Sequence, residues 1–247
     1  MNAFVTGGSR GIGRSIVLKL ATEGFGCAFT FRGNETSANE TLDLARAAGR
    51  EDARFYAYQL DQSDPGAIES VVDRAIDEFE DIGVLVNNAA VVRNNAAAIM
   101  TNEEWEEVIA TNLSGPFYLS RSFIMHFLSN RFGRIINISS LAQDGASGQV
   151  NYAASKAGLV GMTKTLAREY GVKGITTNVV TVGLVETDMV KDAMAEQLKD
   201  IWLSYCPMKR MGSAEEIASA VHYLTLPNSG FINGEVLRIA GGLTYVP

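Results

Sequence analysis

The chain alternates short apolar runs with longer amphipathic stretches from end to end. The apolar runs are continuous rather than interleaved with polar residues, which is typical of parallel strands buried on both faces. They predict strands at 2–6, 26–31, 54–60, 83–87, 133–138, 175–180 and 235–239. The stretches between them predict helices at about 11–23, 36–48, 65–80, 103–129, 150–170 and 214–225.

Strands that alternate with helices predict an α/β fold, here a Rossmann-like, doubly wound parallel sheet of about seven strands with helices on both faces. Right-handed crossovers place the ligand crevice of such a sheet at the carboxyl ends of its strands. No repeat or linker divides residues 1–247, so we expect a single domain. The irregular segment 183–213 is expected to form a lid on the substrate side, around a short helical run at 189–204.

A glycine-rich turn follows the first predicted strand. Residues 6–13 read Thr-Gly-Gly-Ser-Arg-Gly-Ile-Gly and lead into an amphipathic helix. Such glycines let a dinucleotide pyrophosphate approach the backbone, and the helix N-terminus offers free N–H groups to the anion. The spacing is T-G-x-x-x-G-x-G and differs from the common G-x-G-x-x-G fingerprint. Alone, the turn is a weak signal.

Tyr152 and Lys156 form a second motif, about 140 residues downstream. Because residues four apart share one face of a helix, the ammonium can reach the phenol. A nearby positive charge is expected to lower the phenol pKa from about 10 toward a range useful for acid–base catalysis. A lone pair at this spacing is usually an ordinary surface pair, so it is the combination with the glycine turn that favours a catalytic role.

Composition excludes other classes. A net charge of −7 and a pI of about 5.0 argue against general nucleic-acid binding. No stretch approaches the roughly 20 apolar residues of a membrane span, and the first strand leaves no room for a signal peptide, so we expect a cytoplasmic protein. The cysteines and histidines lack metal-ligand spacing, and no metal site is expected.

Further landmarks make a resemblance specific. They are Asn87-Asn88-Ala89-Ala90, Thr111-Asn112-Leu113, Ile138-Ser139-Ser140, Glu186-Thr187-Asp188-Met189, Asn233-Gly234-Glu235 and Gly241-Gly242. Together with the two motifs, they make the chain resemble a short-chain dehydrogenase/reductase, and within that family the 3-oxoacyl-[acyl-carrier-protein] reductases. The resemblance runs along the whole chain without a large insertion.

This resemblance implies an NADPH-dependent ketoreductase that converts a 3-oxoacyl thioester on an acyl carrier protein to the 3-hydroxyacyl form. It implies that Tyr152 donates a proton to the carbonyl and that Lys156 lowers the phenol pKa and holds the nicotinamide ribose. Asn112 would anchor a water that relays protons to the lysine. Ser140 is the expected carbonyl-polarising hydroxyl, with Ser139 as the alternative because the following loop is about one residue shorter than in many relatives.

The cofactor-binding set expected from the turn and the resemblance is Gly7, Ser9, Arg10, Gly11, Ile12, Gly13, Arg32, Asp61, Asn88, Ala89, Tyr152, Lys156, Val185 and Thr187. NAD-binding sheets usually carry an acid about 20 residues after the glycine turn. Here the second strand ends Phe31-Arg32-Gly33-Asn34, and Arg10 lies inside the turn. Two guanidinium groups are therefore expected to meet the 2′-phosphate of NADPH. Two exposed loop arginines are the alternative.

We also expect protein partners. Small residues on the helix at 150–170 and an apolar last segment at 236–247 predict a homotetramer, since family members commonly pair through these regions. Arg131 and Lys173 match basic positions of acyl-carrier reductases and are expected to dock the acidic carrier. They lie at the amino ends of strands, whereas the catalytic residues are expected at the carboxyl ends, which we call the catalytic rim. Docking at Arg131 and Lys173 would therefore serve the site of a neighbouring subunit. Solvated loop charges are the alternative.

Three positions depart from the family pattern. Ala90 replaces the usual glycine, Val182 the usual proline, and Val92 stands where relatives often carry threonine. None belongs to the expected catalytic set, so activity is expected while the substrate stays open. One alternative is an oxidoreductase acting on a polyketide, a small ketone or an alcohol. Another is a catalytically silent, cofactor-binding partner protein.

Overall fold

The computed structural model describes residues 1–187 and 196–246. Seven strands form one parallel sheet in the order β3-β2-β1-β4-β5-β6-β7. They are β1 (Asn2–Val5), β2 (Gly26–Phe31), β3 (Phe55–Gln59), β4 (Ile82–Asn87), β5 (Gly133–Ser140), β6 (Ile175–Val182) and β7 (Val236–Ile239). The predicted doubly wound sheet is confirmed.

Helices cover both faces of the sheet. They are α1 (Gly11–Thr22), α2 (Glu35–Ala48), α3 (Pro65–Phe79), α4 (Asn102–Ile109), α5 (Gly115–Asn130), α6 (Val150–Tyr170), α7 (Glu196–Tyr205) and α8 (Ala214–Thr225). One apolar core packs α1, α2 and α8 against the sheet, and a second packs α3, α5 and α6 against the opposite face. Burying each large apolar side chain contributes roughly 1.5–3 kcal/mol, so both layers hold the sheet edge rigid.

Most predicted element ends lie within one residue of the observed ones, but β5 and β6 each run two residues beyond their predicted ends, to Ser140 and Val182. The two last residues pair with each other in register. Polar side chains of the catalytic rim are therefore fixed by strand pairing rather than carried on loops.

The single helix predicted at 103–129 is wrong in one respect. The stretch divides into α4, a π-helical turn at Ala110–Ser114, and α5. A π turn adds one residue to the helical repeat, which apolar periodicity does not reveal. Close packing accompanies the change, because a Cβ on Gly115 would lie 2.5 Å from the carbonyl oxygen of Gln62. The turn contains Asn112, one of the expected site residues.

The predicted lid is only partly described. Val185 and Gly212 form an isolated parallel bridge that ties the two ends of the segment together. Helix α7 matches the later part of the predicted run at 189–204, while residues 188–195 lie outside the described residues. A small apolar cluster of Leu141, Cys206 and Leu243 joins the end of the lid to the residue that follows β5.

Candidate active site

The turn between β1 and α1 requires its glycines. Gly7 and Gly11 have φ angles of +65° and +53°, a region that side chains rarely adopt. A Cβ on Gly13 would lie 2.1 Å from the carbonyl oxygen of Gly7. Sequence reasoning missed Gly8, where a Cβ would lie 2.6 Å from Cβ of Phe29. The turn is therefore built for close backbone approach.

The N-terminus of α1 fits an anion. Helices α2, α3, α4 and α8 all begin with a side chain that accepts a hydrogen bond from the first turn. Helix α1 has no such cap and no acidic residue in its first turn, and Arg10 before it is extended and exposed. Its first N–H groups are left for a ligand, and the helix dipole favours negative charge there. A cofactor pyrophosphate matches both features.

The ends of β1 and β4 are joined by a compact set of hydrogen bonds. Thr6 Oγ1 accepts from the backbone N–H groups of Asn88 and Ala89, at 3.0 and 2.9 Å. Asn88 Nδ2 donates to the carbonyl oxygens of Thr6 and Gly7, at 2.9 and 3.2 Å. Thr6 was not among the expected site residues, yet it fixes two that were. Its position just before the first glycine was the available signal.

Ser140 and Tyr152 meet at the carboxyl end of β5. The Ser140 hydroxyl lies close enough to the Tyr152 phenol to lower its pKa and so favour the phenolate. The Lys156 side chain is buried, and its Nζ lies 5.6 Å from the centre of the Tyr152 ring. It donates to the carbonyl oxygen of Ile138 at 2.8 Å. The structure thus brings the expected hydroxyl, phenol and ammonium into one place.

The pKa expectation for this group is corrected. Burial raises the pKa of Tyr152 to about 12, and the nearby Ser140 hydroxyl offsets only part of that rise. Burial also lowers the pKa of Lys156 to about 8. Burial is the largest influence on the phenol pKa, and the Lys156 ammonium donates to the carbonyl oxygen of Ile138. The phenol keeps its proton at neutral pH and is ready to donate it.

The two candidate serines have different partners. Ser139 is buried, and its hydroxyl donates to Gln143 Oε1 at 2.8 Å, with the carbonyl oxygen of Lys156 at 3.3 Å. Ser140 lies beside Tyr152 and accepts from the backbone N–H of Ala142 at 3.2 Å. Only the Ser140 hydroxyl therefore faces the phenol.

Asn112 lies in the π turn beside the site, and its side chain is bound to the loop after β4. Its Oδ1 accepts from the backbone N–H of Val91, and its Nδ2 donates to the Val91 carbonyl oxygen, both at 2.8 Å. Ser155 Oγ lies 3.4 Å from the same nitrogen. Both amide hydrogens are thus engaged, and the side chain holds the loop after β4 against α6.

Arg32 directly follows β2, which lies on the other side of β1 from β4 and β5. Its guanidinium contacts Asp61 at 3.1 Å and Glu107 at 3.6 Å, and Glu107 also pairs with Arg93 at 2.7 Å. All four side chains are at least partly exposed, so these pairs are weak and exchangeable. Arg10 is exposed, and the structure assigns it no side-chain partner within its described part. Sequence reasoning did not anticipate Glu107.

The remaining expected residues close the other side of the turn. Ser9 is buried, and its carbonyl oxygen accepts from Arg14 and Thr41, while Ile12 is half-buried in the first turn of α1. Val185 is buried after β6. The methyl group of Thr187 would lie 3.6 Å from a Cβ on Gly11. The segment after β6 therefore reaches the glycine turn.

Two departures from the family pattern are accommodated. Ala90 does not have a positive φ, so its backbone needs no glycine. Val182 ends β6 by pairing with Ser140 on one side and Ile239 on the other. Gly183 continues the connection by donating its N–H to the carbonyl oxygen of Ile239 at 3.0 Å. The carboxyl ends of β4 and β6 therefore form their connections without the glycine and proline that are usual at positions 90 and 182.

The described residues contain no cluster of three or more histidine, cysteine, aspartate or glutamate side chains able to hold a metal ion. In that part of the chain, no helix is both long and apolar enough to cross a membrane.

The fold and rim define a class. Residues 7–244 match the family model described as enoyl-(acyl carrier protein) reductase, and the chain belongs to the short-chain dehydrogenase/reductase family. It is 42% identical over 245 residues to the 3-oxoacyl-[acyl-carrier-protein] reductase FabG of Escherichia coli (strain K12), covering 99% of this chain and 97% of that one. It is 37% identical over 243 residues to the FabG of Staphylococcus aureus (strain Mu50), covering 98% and 97%.

A solved structure agrees with these relatives. A double mutant of a short-chain dehydrogenase/reductase from Serratia marcescens superposes with a TM-score of 0.91 at 36% identity, covering 98% of this chain and 97% of that one. The family resemblance seen in the sequence is confirmed.

Proposed function

We propose that the protein is an NADPH-dependent ketoreductase that reduces a 3-oxoacyl thioester on an acyl carrier protein to the 3-hydroxyacyl form. The observation that carries this proposal is the meeting of the Ser140 and Tyr152 hydroxyls beside the buried ammonium of Lys156. The names of the relatives at 42% and 37% identity support the substrate class. We place the enzyme in the cytoplasm, where NADPH is supplied.

The side chains divide the chemistry of carbonyl reduction. NADPH, when bound, supplies the hydride, and the carbonyl oxygen gains negative charge that must be met by donors as it forms. The Ser140 hydroxyl polarises that oxygen, and Tyr152 passes its phenolic proton to it. Lys156 Nζ has three N–H donors and uses one for Ile138, so two are left to hold ribose hydroxyls and stabilise the phenolate. Asn112 holds the loop that borders this group.

The function is tested by a panel of substrates with purified protein and NADPH. The arms are acetoacetyl-carrier protein, acetoacetyl-CoA, a 2-enoyl thioester and a simple ketone. The proposal predicts oxidation of NADPH with both acetoacetyl thioesters. Turnover of the enoyl thioester alone would assign the activity named in the family model, and preference for the simple ketone would assign the small-ketone alternative. NADPH binding without turnover of any of the four substrates would favour the alternative of a catalytically silent, cofactor-binding partner protein.

Cofactor choice gives a specific prediction. The 2′-phosphate of NADPH would replace Asp61 and Glu107 as the partner of the Arg32 guanidinium, with Arg10 beside it. Because hydrogen bonds to charged groups are worth about 1.5–3 kcal/mol, Arg32→Ala should lower kcat/KM for NADPH by roughly 10–100-fold. The value for NADH should change by less than about threefold. Arg46→Ala, on the surface of α2, is the control. A wild-type preference for NADH would refute the assignment.

The homotetramer remains a proposal, supported by open surfaces in two regions. On α6, Ala157 and Gly161 are exposed, and a Cβ on Gly161 would have nothing within 4 Å. Near the C-terminus, Phe231, Leu237 and Tyr245 are exposed. Small exposed residues permit close helix approach, and exposed aromatic and aliphatic groups favour burial against a second copy.

The carrier-docking prediction concerns Arg131 and Lys173, which are both exposed. Arg134, which lies nearby, is buried over the Phe132 ring and is unsuited to docking. Replacing both exposed residues with Glu should raise KM for acetoacetyl-carrier protein about tenfold, since like charges then face the acidic carrier, and should leave acetoacetyl-CoA nearly unchanged. Salt should mimic this effect.

Changing Arg46 and Arg50 to Glu gives the same change in net charge near the opposite edge of the sheet and serves as the control. Light scattering of both variants shows whether assembly is retained. Equal losses on the two substrates would place the docking site elsewhere.

A further inference from the structure

Gln143 is held in an unusual way at the rim of the site. It lies in the short 3₁₀ turn Leu141–Asp144 that follows β5. Its Oε1 accepts from the hydroxyl of Ser139 at 2.8 Å and from the hydroxyl of Thr181 at 3.1 Å. Ser139 and Thr181 face each other in the β5–β6 register. The amide is therefore fixed across the carboxyl ends of two neighbouring strands.

The nitrogen of the same amide is free. Within the described part of the chain, no hydrogen bond engages Gln143 Nε2, and this nitrogen is not among the buried polar atoms that lack a partner. It therefore reaches solvent, with two N–H donors available. Because hydroxyls hold the amide oxygen from two sides, the direction of the N–H groups is set before any ligand arrives. A donor oriented in advance costs little entropy on binding.

The position of this donor indicates what it binds. Ser139 precedes Ser140, and its hydroxyl holds Gln143 at the carboxyl end of β5, the same strand end that carries Ser140 beside the phenol of Tyr152. A 3-oxoacyl thioester carries a second carbonyl oxygen, separated from the keto carbon by a single methylene. A simple ketone has no such oxygen.

We propose that Gln143 Nε2 donates a hydrogen bond to the thioester carbonyl oxygen and so selects substrates with the two carbonyls in a 1,3 relation. This inference rests on the proposed function, which supplies the substrate class. Gln143 is then a substrate-binding residue that sets specificity, while Ser140 and Tyr152 act on the keto group.

The experiment compares substrates that differ only in carbonyl spacing. Acetoacetyl-CoA and 5-oxohexanoyl-CoA share the carrier and a terminal methyl ketone, but only the first is a 1,3-dicarbonyl. Gln143→Met removes the donors and keeps the side-chain length. Gln143→Glu keeps an oxygen for the two hydroxyls and also removes the donors. We expect both variants to lose about tenfold in kcat/KM for acetoacetyl-CoA, mostly through KM, and less than about twofold for 5-oxohexanoyl-CoA.

Three outcomes would overturn the inference. Equal losses on both substrates, with a lowered Tm, would mean that Gln143 only orders the ends of β5 and β6. An unchanged ratio of kcat/KM values would mean that the donor does not touch the substrate. Failure of the wild-type enzyme to reduce acetoacetyl-CoA would overturn the proposed function together with this inference, whereas wild-type turnover with an unchanged ratio removes this inference alone.

Discussion

Tyr152→Phe should abolish carbonyl reduction while leaving NADPH binding nearly intact. The ring, its packing and its place near Lys156 are retained, and only the hydroxyl beside Ser140 is lost. General acid catalysis contributes roughly 10²–10⁴-fold, so kcat should fall by at least about a hundredfold. The phenol carries its proton at neutral pH, which is the form a reductase needs from its acid.

The measurement is kcat on acetoacetyl-CoA together with the Kd of NADPH by fluorescence titration. Tyr170→Phe, at the C-terminal end of the same helix, removes a hydroxyl outside the site and serves as the control. A Tyr152→Phe enzyme that keeps more than about a tenth of the wild-type kcat would show that another group is the acid.

Lys156→Met should lose activity and gain stability. The variant keeps the buried stem but removes the ammonium, and with it the donors proposed for the ribose and the phenolate, so kcat and NADPH affinity should fall together. In the folded state the pKa of Lys156 is about 8 instead of the ordinary 10.5, so protonation at pH 7 opposes folding. Removing the buried positive charge should raise the free energy of unfolding by on the order of 1–3 kcal/mol, after allowing for the lost hydrogen bond to Ile138.

The pH dependence gives this prediction its sign. Between about pH 8 and 10.5 the unfolded chain binds more protons at this lysine than the folded one, so wild-type stability should rise with pH across that window. The rise should be smaller in Lys156→Met, as measured by urea unfolding at pH 7 and pH 10. Lys164→Met, on the exposed face of the same helix, should change neither quantity. A destabilised Lys156→Met protein would contradict the account of a costly buried charge.

Much of the fold follows from apolar patterning. Strands buried on both faces give continuous apolar runs, and each run from Ala3 onward was recognisable without a partner. The π turn around Asn112 was not, because the run of helix-forming residues continues through it and apolar periodicity does not mark where one residue is added. The last two residues of β5 were also missed, since Ser139 and Ser140 are polar and only pairing with β6 makes them strand.

The candidate site was predictable where a residue type is forced by geometry. Gly7, Gly11 and Gly13 are such positions, because a side chain there would be strained or would collide with the backbone. Properties such as a pKa, which burial and nearby charges shift in opposite directions, were not predictable from the sequence. The pKa of Tyr152 is the example, since spacing shows that Lys156 is near but not that its ammonium turns to Ile138.

Side chains that act through partners distant in sequence were also hidden. The Gln143 amide is oriented partly by the hydroxyl of Thr181, which is brought beside it only by the pairing of β5 with β6. Glu107, on α4, likewise contacts Arg32 from a distant part of the chain. Neither contact can be predicted from a local sequence motif.

The central claim, hydride transfer to the keto carbon of a 3-oxoacyl thioester, is tested most directly by isotope transfer. Acetoacetyl-carrier protein is incubated with the wild-type enzyme and NADPH deuterated at C4 of the nicotinamide, and the product is analysed by mass spectrometry and NMR. We predict a 3-hydroxybutyryl thioester with one deuterium at C3. Recovery of unchanged acetoacetyl thioester from an enzyme that deuterates a 2-butenoyl thioester to the saturated product would contradict the account.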